Sequence, residues 1–342
     1  MKVKAFIFHK RAEKYGDCQD WFGINCQTNR IAISDGMSQS IFPQWWAQLL
    51  VEEYLETGYF PEKSLTSLQK KWQQKLSDEI NHREKEALTN PKRDPWRLKN
   101  LLAEKSGAGA TLCGVTLGEN EWICECLGDS CVITIDSDYG LSIYSSQVGQ
   151  FSNNPDYFDS FGKGRGTPIK VSINKKVEAL LIVTDPFAEL FQLHQNDPEF
   201  IKKRFKEIIN LNTHESFIEL VERWRDDLGL HNDDSTLIII TDLTNNKFQI
   251  EYQDNLKEFI ENERNLENAP IASPTPAESI VDVEKSNFPS LEVCTPNQLI
   301  DRLKCDMSHY LHNIYKGTKS KKTIKEVILK IFKPVIHDYI KQ

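Results

Sequence analysis

Four carboxylates stand where a buried strand would hand them to the rim of a sheet. Arg30-Ile-Ala-Ile-Ser34 runs into Asp35-Gly36, Trp122-Ile-Cys-Glu-Cys-Leu127 into Gly128-Asp129, and Ala179-Leu-Leu-Ile-Val183 into Thr184-Asp185, while Asp233-Asp234 opens onto Ser235-Thr-Leu-Ile-Ile-Ile-Thr241. Short apolar runs bounded by turn residues read as buried strands. Asp35, Asp185 and Asp233 flank runs that folding would bury, and an uncompensated buried carboxylate is costly. A hard divalent cation supplies the missing charge, and an all-oxygen set suits Mg²⁺ or Mn²⁺ better than zinc. Taken singly, most aspartates are surface, turn or cap residues. The joint pattern points to one metal site.

The elements that must position these groups follow from periodicity. Strands are expected over 3–8, 21–26 and 30–34, the last two forming a hairpin. Apolar residues at 42, 45, 46, 49, 50 and 54 have helical spacing, with Pro43 suited to the first turn and Gly58 to the end. Helices are also expected over 65–86 and 96–105, and Ser106-Gly-Ala-Gly-Ala-Thr111 then feeds a strand over 112–117. Small residues there serve either close helix-on-sheet packing or a phosphate cradle, and both readings stand. Turns at 118–120, 127–129 and 138–140 predict an antiparallel meander from 121 to 144. Residues 151–168 read as a long loop. Within it, Gly162-Lys-Gly-Arg-Gly166 lacks the Lys-Ser/Thr of a phosphate loop, so Lys163 and Arg165 are left as cations at a cleft edge. Helices over 186–193, 198–211 and 216–228 precede strands over 236–241 and 248–252. Many antiparallel strands with helices in two blocks make an α+β fold.

The chain has 342 residues and a formal charge of −8, which argues against a nucleic-acid partner for the whole molecule. Its 8 cysteines include no CxxC pair, in keeping with reduced thiols in a cytoplasmic protein. Cys124 and Cys126 share one side of a strand, where packing is the favoured reading over zinc. Neither a signal peptide nor an apolar run of membrane-spanning length is present. Three regions are expected: a catalytic domain over 1–252, an acidic Pro-containing linker over 253–298, and a basic helical tail over 299–342. The tail has two amphipathic periodicities, which suit helices packed on each other or a module that docks a partner.

Six motifs occur in one order: Gln19-Asp20, Ser34-Asp35-Gly36, Gly107-Ala-Gly-Ala-Thr111, Leu127-Gly128-Asp129-Ser130, Val183-Thr184-Asp185 and Asp233-Asp234-Ser235-Thr236. With them, approximately residues 1 to 250 resemble the metal-dependent serine/threonine protein phosphatases of type 2C, in their bacterial form. The resemblance implies a four-layer α-β-β-α sandwich, two antiparallel sheets flanked by antiparallel helix pairs. It implies that Asp35 bridges two Mg²⁺ or Mn²⁺ ions, that the Gly36 carbonyl binds one of them, and that Asp185 and Asp233 bind the other. Asp20 takes an outer-shell role and Asp129 contributes to a third, looser ion. Asp35, Asp185 and Asp233 thereby become the catalytic set, serving a hydroxide that attacks phosphorus directly.

The chain also departs from the family's pattern. Many members carry an arginine just before the Gln-Asp pair to hold the phosphate; here Lys14, with Arg11 further back, is the candidate. Met37 stands where eukaryotic members have a histidine, Ser38-Gln39 replaces a glycine pair, and Pro186 replaces a glycine. His231 is a candidate substitute acid, with a surface loop histidine as the plainer reading. The implied partners are phosphoprotein substrates and a serine/threonine kinase system, with no nucleic acid expected. A phosphoprotein-binding module with weak or no catalysis is the alternative.

Overall fold

The computed structural model describes residues 1–61, 64–118, 121–147, 155–243 and 247–268. The chain opens with β1 (Lys2–Phe8), the hairpin β2 (Trp21–Asn25) and β3 (Arg30–Ser34), then helices α1 (Pro43–Thr57), α2 (Leu65–Ala87) and α3 (Trp96–Ala103). Seven strands of very unequal length follow: β4 (Gly109–Ala110), β5 (Leu112–Leu117), β6 (Glu121–Leu127), β7 (Cys131–Ile135), β8 (Leu141–Tyr144), β9 (Phe158–Asp159) and β10 (Ile169–Asn174). The last part holds β11 (Ala179–Val183), α4 (Asp185–Leu193), α5 (Pro198–Ile209), α6 (His214–Asp227), β12 (Ser235–Thr241), β13 (Gln249–Gln253) and α7 (Leu256–Asn268).

Local chemistry sets the helix ends. Pro43 occupies the first turn of α1, where its missing N–H costs nothing, and Gly58 at φ 71° closes the helix by donating to the Tyr54 carbonyl. The Asp197 side chain accepts from Phe200 N–H at the start of α5, and Thr213 with Ser216 forms a reciprocal cap on α6.

A mixed α+β architecture results. One sheet has the order β13-β1-β12-β11-β7-β8, a second the order β10-β6-β5-β3-β2, and β4 with β9 makes a two-stranded ladder. Apolar residues of both larger sheets share one core cluster, including Ile31, Val115, Trp122, Ile182 and Ile238. A second cluster joins the six-stranded sheet to α4, α5 and α6 through Phe187, Phe191, Phe217 and Trp224. The third joins the five-stranded sheet to α1 and α2 through Trp46, Tyr54 and Trp72. Cys113, Cys124 and Cys126 lie in the first cluster as buried free thiols.

Several expectations need correction. The chain from 121 to 144 is not a single meander, because β6 pairs in the five-stranded sheet and β7 in the six-stranded one. Gly128, at φ 101°, makes the sharp turn between them, a conformation that side chains with a Cβ rarely adopt. The six-stranded sheet is not wholly antiparallel, since β13 runs parallel to β1. Strand β10, with alternating Ile169, Val171 and Ile173, adds an edge that the sequence reading passes over. The stretch expected to be a linker from 253 begins instead as α7, which sets Leu256, Phe259 and Ile260 against the domain. The remainder of that linker and the basic tail lie outside the described residues. Among the described residues, no helix is long and apolar enough to cross a membrane.

Candidate metal centre

Strand ends from both large sheets bring the aspartates together. Asp35 directly follows β3, and its backbone is latched by Thr111: Asp35 N–H donates to Thr111 Oγ1 at 3.0 Å, and Thr111 N–H returns to the Asp35 carbonyl at 2.8 Å. Met37 N–H donates to the Gly109 carbonyl at 2.9 Å, so the small-residue run 107–111 is a backbone latch for the Asp35 turn. That is the packing alternative. A Cβ on Gly36 would come within 2.7 Å of Pro43 Cβ and 2.8 Å of the Gln19 carbonyl, which is why glycine follows the aspartate. Asp129 sits in the Gly128 turn between the sheets. Asp185 opens α4 immediately after β11, with Pro186 placed harmlessly in the first turn.

Asp20 is fully buried, and its Oδ2 accepts from the Thr184 hydroxyl at 3.0 Å and the Thr236 hydroxyl at 2.7 Å. The two threonines of the Val183-Thr184-Asp185 and Ser235-Thr236 motifs thus hold Asp20 in place. Asp234, also buried, accepts from Lys10 N–H at 2.9 Å and Gln19 N–H at 2.7 Å, tying both ends of the loop after β1 to the start of β12. Asp233 is half-buried and its carbonyl accepts from Arg225 Nη2 at 2.7 Å.

The electrostatics record how close these groups stand. Burial, then the charges of Asp20, Asp185, Asp129 and Asp233, push the Asp35 carboxyl well above its ordinary range. Asp185 and Asp20 are raised likewise, by burial first and then by neighbouring aspartates. Asp129 and Asp234 are each raised to about 6, again chiefly by burial, against backbone hydrogen bonds that lower them. Asp20 Oδ1 and Asp129 Oδ1 are buried with no hydrogen-bond partner among the described residues. Ligand atoms of Asp185, Asp233 and His231 lie within 4.8 Å of one another. Carboxylates massed this closely, two of them with orphaned buried oxygens, fit a divalent cation.

Lys10, which also pairs with Glu13 at 3.4 Å, brings a cation to the cluster. Its Nζ lies 3.6 Å from Asp233 Oδ1 and 3.5 Å from Ser38 Oγ. Burial lowers the Lys10 pKa, but Asp233, Asp234 and Glu13 outweigh it and leave the ammonium raised. Arg11 is not brought to the carboxylates: its Nη2 pairs with Glu222 Oε2 at 2.5 Å and Asp226 Oδ1 at 2.7 Å on α6. Lys14 is exposed on the same loop. Arg165 pairs with Asp156, and the Met37 side chain packs beside Gly109.

No protein-family model and no curated protein matches the chain. Among solved structures it is similar to the serine/threonine phosphatase Stp1 from Staphylococcus aureus, at 16% identity and TM-score 0.43, covering 70% of this chain and 94% of that one. A bacterial serine phosphatase is similar at 14% identity and TM-score 0.43, covering 70% and 96%. The catalytic domain of the serine/threonine protein phosphatase PstP, in complex with two manganese ions, is similar at 13% identity and TM-score 0.39, covering 69% and 96%. Identities this low and TM-scores below 0.5 leave the functional reading to the carboxylates and their surroundings.

Proposed function

We propose that this chain is a type 2C-like phosphatase that hydrolyses phosphoserine and phosphothreonine in proteins with Mg²⁺ or Mn²⁺. The observation that carries the reading is the closeness of Asp185 and Asp233, whose ligand atoms lie within 4.8 Å, together with the charges of Asp20, Asp35 and Asp129 acting on one another and on them, and with one oxygen each of Asp20 and Asp129 unpartnered among the described residues. Its overall arrangement is a four-layer sandwich, a reading supported by the three separate apolar clusters. Asp35, the Gly36 carbonyl, Asp185 and Asp233 would hold two ions, and Asp129 would contribute to a third. Bound divalent cations supply Lewis-acid activation of water and offset charge on phosphoryl oxygens.

The chain's own residues do the rest. Thr111 fixes the backbone that aims Asp35, and Thr184 with Thr236 fix the buried Asp20, whose charge acts on Asp35. Lys10 binds the phosphate as a point charge, replacing Lys14 and Arg11 as the candidate for that task; at 3.6 Å from Asp233 it is poised to transfer its contact to an incoming anion. Its substrates are phosphoproteins of a serine/threonine kinase system in the cytoplasm, and the basic segment 299–342 docks a partner.

The test is hydrolysis of a phosphothreonine peptide and a small aryl phosphate by the full chain, with Mn²⁺ and with chelator. Metal-dependent turnover of the peptide is expected. No turnover of either substrate would sink the reading, and tight peptide binding without turnover would favour a phosphoprotein-binding module.

A further inference from the structure

Two residues before Asp233, on the exposed loop that enters β12, the chain carries a histidine whose ring lies beside two aspartates of the centre. We propose that His231 is a nitrogen ligand to the ion held by Asp185 and Asp233, and that it biases this position toward Mn²⁺ and other transition metals over Mg²⁺. The inference rests on the metal-site reading above and adds a residue to it.

The geometry comes from two places in the fold. Asp185 projects from the first turn of α4, and Asp233 and His231 from one tight turn closed by Asp233 N–H donating to the His231 carbonyl at 3.0 Å. One donor atom from each lies within 4.8 Å of the others. Donors bound to a single ion at about 2.0–2.2 Å stand roughly 3–4.4 Å apart, so small rotations of the exposed His231 ring and the half-buried carboxylates close the set. A second observation is Asp129, 3% exposed, whose charge acts on Asp185 and whose Oδ1 has no hydrogen-bond partner among the described residues, an unsatisfied buried oxygen that a cation beside Asp185 would offset.

The consequence is a change of metal preference. Mg²⁺ holds oxygen ligands and keeps several waters, whereas imidazole suits Mn²⁺, Fe²⁺ and Co²⁺ progressively better. Two carboxylates and one imidazole also leave coordination positions open for substrate.

Mn²⁺ binding to the full chain decides the matter, read by the electron paramagnetic resonance of free Mn²⁺ with Mg²⁺ as competitor, beside the visible spectrum of the Co²⁺-loaded protein. His231→Ala is expected to weaken one Mn²⁺ site by about tenfold, to lower the Mn²⁺/Mg²⁺ preference in proportion and to change the Co²⁺ spectrum. Asp185→Asn is expected to remove that site. If Asp185→Asn removes it while His231→Ala matches wild type in affinity, preference and spectrum, the His231 inference falls and the metal centre stands. If the wild type binds no Mn²⁺, or Asp185→Asn binds it unchanged, both fall.

Discussion

Lys10, Arg11 and Lys14 put three cations within five positions, and nothing local to that loop distinguishes them. More than 200 residues later, Glu222 and Asp226 on α6 engage Arg11, while Lys10 faces Asp233, which is the ground for proposing Lys10 as the phosphate cation. Lys10→Met is therefore expected to lower kcat/KM for a phosphopeptide by about 10- to 100-fold, mainly through KM, since a charge-assisted hydrogen bond contributes about 1.5–3 kcal/mol. Steady-state kinetics with saturating Mn²⁺ check it. The placement of Asp35, Asp185 and Asp233 at strand ends was legible in the sequence because each ends or opens an apolar run. Thr184 and Thr236 were not, because the oxygen they both donate to belongs to Asp20, which is 164 and 216 positions away. Asp185→Asn or Asp233→Asn is expected to cut turnover about 100-fold or more, and Asp185→Asn, which removes a buried carboxyl from a group of like charges, is expected to raise the urea midpoint of the metal-free protein.

At the scale of elements, periodicity located the helices and most strands to within a few residues, since their buried faces are continuous apolar patterns. Sheet membership was less accessible. Leu127-Gly128-Asp129 looks like any hairpin turn, and only the pairing of β6 with β5 and of β7 with β11 shows that the chain changes sheets there. Helix α7 was hidden by its acidic composition. Its Phe259 packs on Tyr15 and His214, and its Glu263 accepts from Tyr15 N–H at 3.1 Å. Just before it, buried Asp254 accepts from Ile7 N–H at 2.9 Å and from the Tyr252 hydroxyl at 2.9 Å, and pairs with His214. A chain ending at residue 252 loses all of these partners and leaves a buried N–H unsatisfied. It is expected to be less stable than one ending at 268 by on the order of 3 kcal/mol in urea unfolding.

For the whole molecule, the buried carboxylates make stability depend on pH. In the unfolded chain Asp129 and Asp234 return to an ordinary value near 3.8, against about 6 when folded. Raised carboxyl pKa values contribute stability that is complete below the unfolded value and lost as pH rises through the folded one. Metal-free protein should therefore lose this contribution between about pH 4 and pH 6, and Mn²⁺ should raise Tm more at pH 7 than at pH 5, by about 5 °C or more. Thermal melts with chelator and with Mn²⁺ at both pH values check this. Cutting the basic segment 299–342 should alter partner recovery while leaving aryl phosphate turnover intact. The most direct test of the central claim is anomalous scattering from crystals grown with Mn²⁺. Two or more Mn²⁺ peaks among Asp35, Asp129, Asp185 and Asp233 are predicted; Mn²⁺-saturated crystals with no peak between those carboxylates would contradict it.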